Sequence, residues 1–176
     1  MQNYVIEGVP ETYHIANENV YLNDVYDNTI FVNRAIVADS GIENVTFQIN
    51  SHHRGSDHVN KDLKGGVSVE AITIDNLVKK YGIRNVVAMK IDIEGMEEDA
   101  LKGGNEWISN ENNRPCIILM EANGQNDLQS IQTLLGGYEY NSAQYLDYYN
   151  VVFTNKRCQP LQMDCTTFYT RRSCIF

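Results

Sequence analysis

Apolar positions recur along the chain with two periods, and the switch between them marks the elements. Tyr4-Val5-Ile6 is a short apolar run that stops at Glu7-Gly8, which predicts a strand. Pro10 suits the first turn of a helix, and Tyr13, Ala16, Asn17, Val20 and Tyr21 follow at helical spacing, so a helix is expected over 10–22. A second strand is expected over 28–33, with Ala35 to Ala38 extending it or starting another, and Asp39-Ser40-Gly41 forms a turn. Apolar and polar residues alternate over 45–49 and again over 67–74, the pattern of half-buried strands. Asp75 to Tyr81 reads as a short helix closed by Gly82.

Val86 to Ile93 is nearly continuous in apolar residues, which predicts a strand covered on both faces, as in parallel sheets. A helix follows Gly95, with Glu97, Glu98 and Asp99 in its first turn, Lys102 in its last and Gly103-Gly104 ending it; that polarity suits the helix dipole. Glu106 to Asn110 adds a helical turn, and Pro115 to Met120 is a second buried strand ending at Glu121. Asp127 is placed to cap a helix carrying Leu128, Ile131, Leu134 and Leu135, stopped by Gly136-Gly137. Tyr138-Glu139-Tyr140 and Asp147 to Thr154 resemble a terminal antiparallel hairpin. Strands alternating with helices imply an α/β fold, with a mostly parallel sheet and right-handed crossovers. One domain is expected over 1–155, followed by a tail over 156–176 where the pattern fades.

Composition narrows the partners. The 176 residues, 43% apolar and 21% charged, are enough for one ordinary core without metal or disulfide support. A net charge of −9 argues against nucleic acid as the main ligand. No apolar stretch is long enough to span a bilayer, and the first residues do not read as a secretory signal, so a cytoplasmic location is expected. Cys116 sits in an apolar run and reads as a buried thiol. Cys158, Cys165 and Cys174 form no C-x-x-C pair, and free thiols in a reducing compartment are the expectation.

Ligands of open α/β sheets bind beyond the carboxyl ends of the strands. That rule selects Glu7, Asp92, Glu94 and Glu121, although Glu121 also fits a solvated strand end. Asp92 follows Lys90 within an apolar strand, and a buried carboxylate needs a partner or a task. Glu97, Glu98 and Asp99 are most simply helix-start charges. Ser51 to Gly66 is a polar loop holding His52, His53 and His58; their spacing fits no standard zinc pattern, but a histidine there can act as general base on a hydroxyl.

Lys90-Ile91-Asp92-Ile93-Glu94-Gly95-Met96-Glu97, then Leu101-Lys102-Gly103, then Arg114-Pro115 and Met120-Glu121, resembles the FkbM methyltransferase family. Thr73-Ile74-Asp75-Asn76-Leu77 is similar to its Thr-x-Asp-x-Leu helix start, Glu7 to Tyr13 to its Glu-Pro-x-Pro-x-x-Tyr segment, and Asn33-Arg34-Ala35 to its Asn-x-Ala stretch. The resemblance runs from about Val5 to Glu121. It implies a Rossmann-like class I methyltransferase sheet using S-adenosyl-L-methionine to methylate a hydroxyl of a sugar or glycan. Glu7 would then bind the donor ribose hydroxyls, Arg34 and Ala35 would lie beside the adenine, and Asp92 would also face the donor. Asp92, Glu94, Lys90 and His52 would be the catalytic group, and Glu121, Glu97 and His53 would meet a small-molecule or glycan acceptor. Asp92 as base, metal ligand or orienter stays open.

The sequence departs from the family in one respect. The family's first strand and its glycine-rich turn precede the Glu-Pro segment, whereas the first strand here is the one ending at Glu7. Three arrangements are compatible with that: a piece of a longer product, a sheet in which the strands ending at Glu7 and Ile93 pair directly, or a homodimer in which a second copy completes the sheet. The departure leaves an alternative function, a catalytically inactive module that binds a glycan or a protein. A metal-dependent hydrolase using Asp92, Glu94 and Glu121 is a third reading.

Overall fold

The structure, a computed structural model, describes residues 2–48, 58–59, 66–121, 125–140, 142–147 and 149–158. They form two compact units, Met1–Ile83 with Asp99–Trp107, and Arg84–Glu98 with Ile108–Phe176.

In the first unit, β1 (Asn3–Ile6) pairs in parallel with β2 (Thr29–Val32), Asn3 opposite Thr29 and Ile6 opposite Val32. Helix α1 (Pro10–Leu22) joins them, with Pro10 supplying a fixed φ where its missing N–H costs nothing. A second sheet has the order β3-β6-β4-β5. Here β3 (Ala35–Ile36) runs parallel to β6 (Val67–Ile72), β6 antiparallel to β4 (Asn44–Gln48), and β4 antiparallel to β5 (His58–Val59). Helix α2 (Ile74–Tyr81) begins where Thr73 Oγ1 accepts the Asn76 amide at 3.2 Å.

Two motif positions acquire physical reasons in this unit. Asp75 accepts the Trp107 amide on Oδ1 at 2.7 Å and the Glu106 amide on Oδ2 at 3.0 Å, which satisfies the start of α4 (Asn105–Ser109). Gly103 follows α3 (Glu97–Lys102), and a Cβ there would stand 2.2 Å from the Val37 carbonyl oxygen. Only glycine lets the two backbones approach so closely.

In the second unit the order is β7-β8-β10-β9. β7 (Ala88–Ile91) is parallel to β8 (Ile117–Glu121), β8 antiparallel to β10 (Asn150–Thr154), and β10 antiparallel to β9 (Ser142–Tyr145). Ile118 and Met120 of β8, Ile131 and Leu135 of α5 (Gln125–Gly136), and Val151 and Phe153 of β10 are buried. The amino end of β8 is tied by a polar knot. Asn155, fully buried, donates its amide to Cys116 O at 2.9 Å and Nδ2 to Tyr138 O at 3.0 Å. Tyr140 donates its hydroxyl to Pro115 O, and Arg114 donates Nη1 to Tyr138 O. Burial pushes the Tyr140 hydroxyl well above the ordinary tyrosine range.

Several expectations are corrected. The strand within Val86–Ile93 is not covered on both faces: Ala88 and Lys90, which share a face, are exposed, and among the described residues β7 has a strand on one side only. The sheets are not mostly parallel: β1–β2, β3–β6 and β7–β8 are parallel, while β4–β6, β4–β5, β8–β10 and β9–β10 are antiparallel. Among the described residues β1 has β2 as its strand partner within the first unit, and β7 has β8 within the second. The hairpin's first arm is Ser142–Tyr145, because Tyr138 and Tyr140 belong to the knot and Glu139 takes a left-handed φ of 67°. α5 begins at Gln125, so Asp127 lies within its first turn and does not precede it. Cys116 is not a free thiol: it is joined to Cys158, 42 residues on, in a disulfide. Cys165 and Cys174 lie outside the described residues.

Candidate functional site

The parallel register of β7 and β8 sets Ile91 opposite Met120, so the next residues, Asp92 just past β7 and Glu121 at the end of β8, stand side by side at the carboxyl edge of the sheet. The chain then turns back through Glu94 and Gly95, which take left-handed φ values of 56° and 91°. A Cβ on Gly95 would meet nothing within 4 Å, so glycine is suited there by conformation and not by space. The turn carries Glu94 towards the other two acids. Carboxylate oxygens of Asp92, Glu94 and Glu121 all lie within 4.8 Å of one another.

Lys90 lies two residues before Asp92, on the same face of the strand, and its Nζ meets Asp92 Oδ2 at 2.8 Å. Asp92 is not the buried carboxylate expected from its apolar surroundings. Its side chain is 39% exposed and that of Lys90 is 40% exposed. Three carboxylates against one ammonium make the strand ends a negative patch suited to hydroxyl donors or cationic groups. Exposed acids also gather without an ion, so the trio alone does not establish a metal centre.

Glu97 faces inward. It is 6% exposed, and its Oε1 accepts the backbone amides of Ile93 at 3.1 Å and Gly95 at 3.2 Å. Glu98, next along α3, accepts the Ser130 hydroxyl on Oε2. Oε1 of Glu97 is thus bonded to the turn that holds Glu94.

The residues that the resemblance assigns to the donor belong to the first unit. Glu7 ends β1, half-buried, with Oε1 accepting the Val9 amide at 2.7 Å. Asn33 Nδ2 donates to the carbonyls of Glu7 at 2.8 Å and Gly8 at 3.0 Å, fixing the backbone on which Glu7 stands. Arg34 donates Nη1 to Asn33 O at 2.8 Å and places Nη2 2.5 Å from Glu70. Ala35 is buried in β3. His52 and His53 lie outside the described residues.

The Methyltransferase FkbM domain family matches residues 2–146, most of the chain and every described acid above. This chain belongs to the FkbM methyltransferase domain family. The crystal structure of Methyltransferase FkbM from Methylobacillus flagellatus KT, at 2.20 Å, shares the fold of this FkbM domain with a TM-score of 0.55 and 13% identity. The match covers 87% of this chain and 36% of that one, so the FkbM domain described here spans about a third of that protein. A search of curated proteins finds no match.

Strand-end placement points to Glu7, Asp92, Glu94 and Glu121, and the FkbM domain brings the last three together. Asn33 enters the sequence reading only through the Asn-x-Ala stretch, which does not disclose its hold on the Glu7 backbone. An asparagine just past a strand end, in a stretch already shared with the family, was the available signal.

Proposed function

We propose that this FkbM domain serves methyl transfer from S-adenosyl-L-methionine to a hydroxyl of a sugar or glycan, on a Rossmann-like class I methyltransferase sheet. The observation that carries the reading is the meeting of Asp92, Glu94 and Glu121 within 4.8 Å at the carboxyl ends of β7 and β8.

S-adenosyl-L-methionine, when bound, supplies an electrophilic methyl group on a sulfonium. The chain's residues fit that donor in one respect: Glu7 offers a strand-end carboxylate on a backbone fixed by Asn33, and a carboxylate suits two adjacent ribose hydroxyls. In this reading Arg34 and Ala35 flank the adenine. What remains for the chain is to hold the acceptor oxygen in line and accept its proton, and such positioning accounts for much of the acceleration. Asp92 is the proton acceptor, Lys90 holds it in place from 2.8 Å, and Glu94 and Glu121 bind neighbouring acceptor hydroxyls.

Among the described residues no helix is long and apolar enough to cross a membrane. The cytoplasmic expectation went with free thiols; the Cys116–Cys158 bond favours an oxidising compartment.

Calorimetric titration with S-adenosylhomocysteine tests the reading. Micromolar binding that is lost in Glu7→Ala and weakened in Asp92→Asn supports it. A well-folded protein that binds none of the product sinks it. That outcome favours the second reading, a catalytically inactive module for a glycan or protein, which draws support from the single-partner pairing of β1 and of β7.

A further inference from the structure

We infer that Glu97 is the positioning residue of the acidic turn: its buried carboxylate fixes the left-handed backbone that brings Glu94 to Asp92 and Glu121. The inference rests on the reading of those acids as the reacting site. It assigns Glu97 no contact with donor or acceptor.

Three observations carry it. Glu97 is one of few charged side chains buried in the described residues, and a buried charge needs hydrogen bonds in place of water. Its Oε1 receives two amides, those of Ile93 and Gly95, at 3.1 and 3.2 Å. Those amides bracket Glu94, whose φ of 56° is uncommon for a residue with a Cβ. A backbone in a sparsely populated region persists only when its surroundings determine it.

The geometry also explains the residue type. The acceptor sits at the first residue of α3, close enough to reach back over the turn. Aspartate is one methylene shorter, and a neutral amide keeps one carbonyl oxygen able to accept both amides. Glu97→Gln therefore preserves the hold, and Glu97→Ala removes it. In the alanine variant the Ile93 and Gly95 amides lose their acceptor and the turn relaxes, carrying Glu94 away from the other two acids.

The test uses the full chain in three variants, Glu97→Gln, Glu97→Ala and Asp92→Asn. Amide hydrogen exchange is read by NMR at Ile93 and Gly95, with β8 and β10 amides as internal references. S-adenosylhomocysteine affinity is read by calorimetry. In Glu97→Ala, exchange at Ile93 and Gly95 is expected to quicken at least tenfold, with the references unchanged, while S-adenosylhomocysteine affinity stays within threefold of the parent because Glu94 serves the acceptor. Glu97→Gln is expected to stay within threefold of the parent in both. Unchanged exchange in Glu97→Ala overturns the inference. So does a glutamine variant that behaves like alanine, which would make the charge and not the acceptor geometry the operative property. Should the parent bind no product, or Asp92→Asn bind as well as the parent, the donor-site reading fails on its own, and the exchange comparison still decides whether Glu97 holds the turn.

Discussion

Replacing both Cys116 and Cys158 with serine should destabilise the second unit strongly. The disulfide closes a loop of 42 residues. Loop-closure entropy for that length corresponds to about 4 kcal/mol at 25 °C, if the whole effect lies in the unfolded chain. For a protein of this size that translates to a fall in Tm of roughly 8–16 °C. The knot lessens the structural consequence. Asn155 N–H reaches Cys116 O at 2.9 Å and holds the two segments together with or without the covalent bond, so the variant should fold to the same secondary structure. The Cα atoms of the two cysteines are 5.5 Å apart, within the ordinary disulfide range, so serine fits without moving the backbone. Differential scanning calorimetry with and without a dithiol reductant, alongside alkylation and mass measurement of the unreduced protein, gives the readout. Full alkylation of Cys116 and Cys158 in oxidised protein, together with a double variant melting within 2 °C of the parent, would refute the reasoning.

Three further outcomes follow from other features. Gly103→Ala should cost ~3 kcal/mol or more in urea unfolding, because the new Cβ would stand 2.2 Å from the Val37 carbonyl oxygen and backbone must move; a loss under 1 kcal/mol would show that the approach is looser. Asp75→Ala should cost about 1–2 kcal/mol by removing the acceptor for the Glu106 and Trp107 amides, read by the same denaturation. The Asp147 carboxylate is held below its ordinary value by the amides of Tyr149 and Asn150 and the Asn150 side chain. A depressed folded value stabilises above the unfolded one, so the β9–β10 turn should be tightest above about pH 4. It should loosen as pH falls through the depressed value, and NMR shifts of Tyr149 and Asn150 that stay flat across that range would contradict this.

Much of the fold was legible because local patterns coincide with tertiary ones. Helix α1 spans Pro10–Leu22, the range its period and proline imply, and β8 is buried as its unbroken apolar run suggests. β7 was misread because hydrophobicity reports what a residue prefers, not which strand lies beside it. Its run is as apolar as that of β8, yet among the described residues it has a strand on one side only. Tyr138-Glu139-Tyr140 has strand-forming residues, but Tyr140 uses its hydroxyl on Pro115 and the segment closes a knot. The Cys116–Cys158 pair could not be found from spacing, since connectivity between distant cysteines is set by topology. At the site, strand-end placement alone brought out Asp92, Glu94 and Glu121. Glu97 was named only for the acceptor, and its bond to the turn was hidden because an acid in the first turn of a helix has an ordinary electrostatic reason to be there.

The edge position of β7 bears on how the protein behaves in the test tube. Its outer ladder of backbone groups has no strand beside it among the described residues, and Val87, just before it, is 49% exposed. An apolar strand with an open ladder is a template for self-association, and Lys90 is the charge within it that opposes stacking. Neutralising that lysine would therefore do two things at once: release Asp92 from its ion pair and remove a guard against aggregation. Activity lost in such a variant has to be separated from material lost to fibres or oligomers by measuring the soluble fraction.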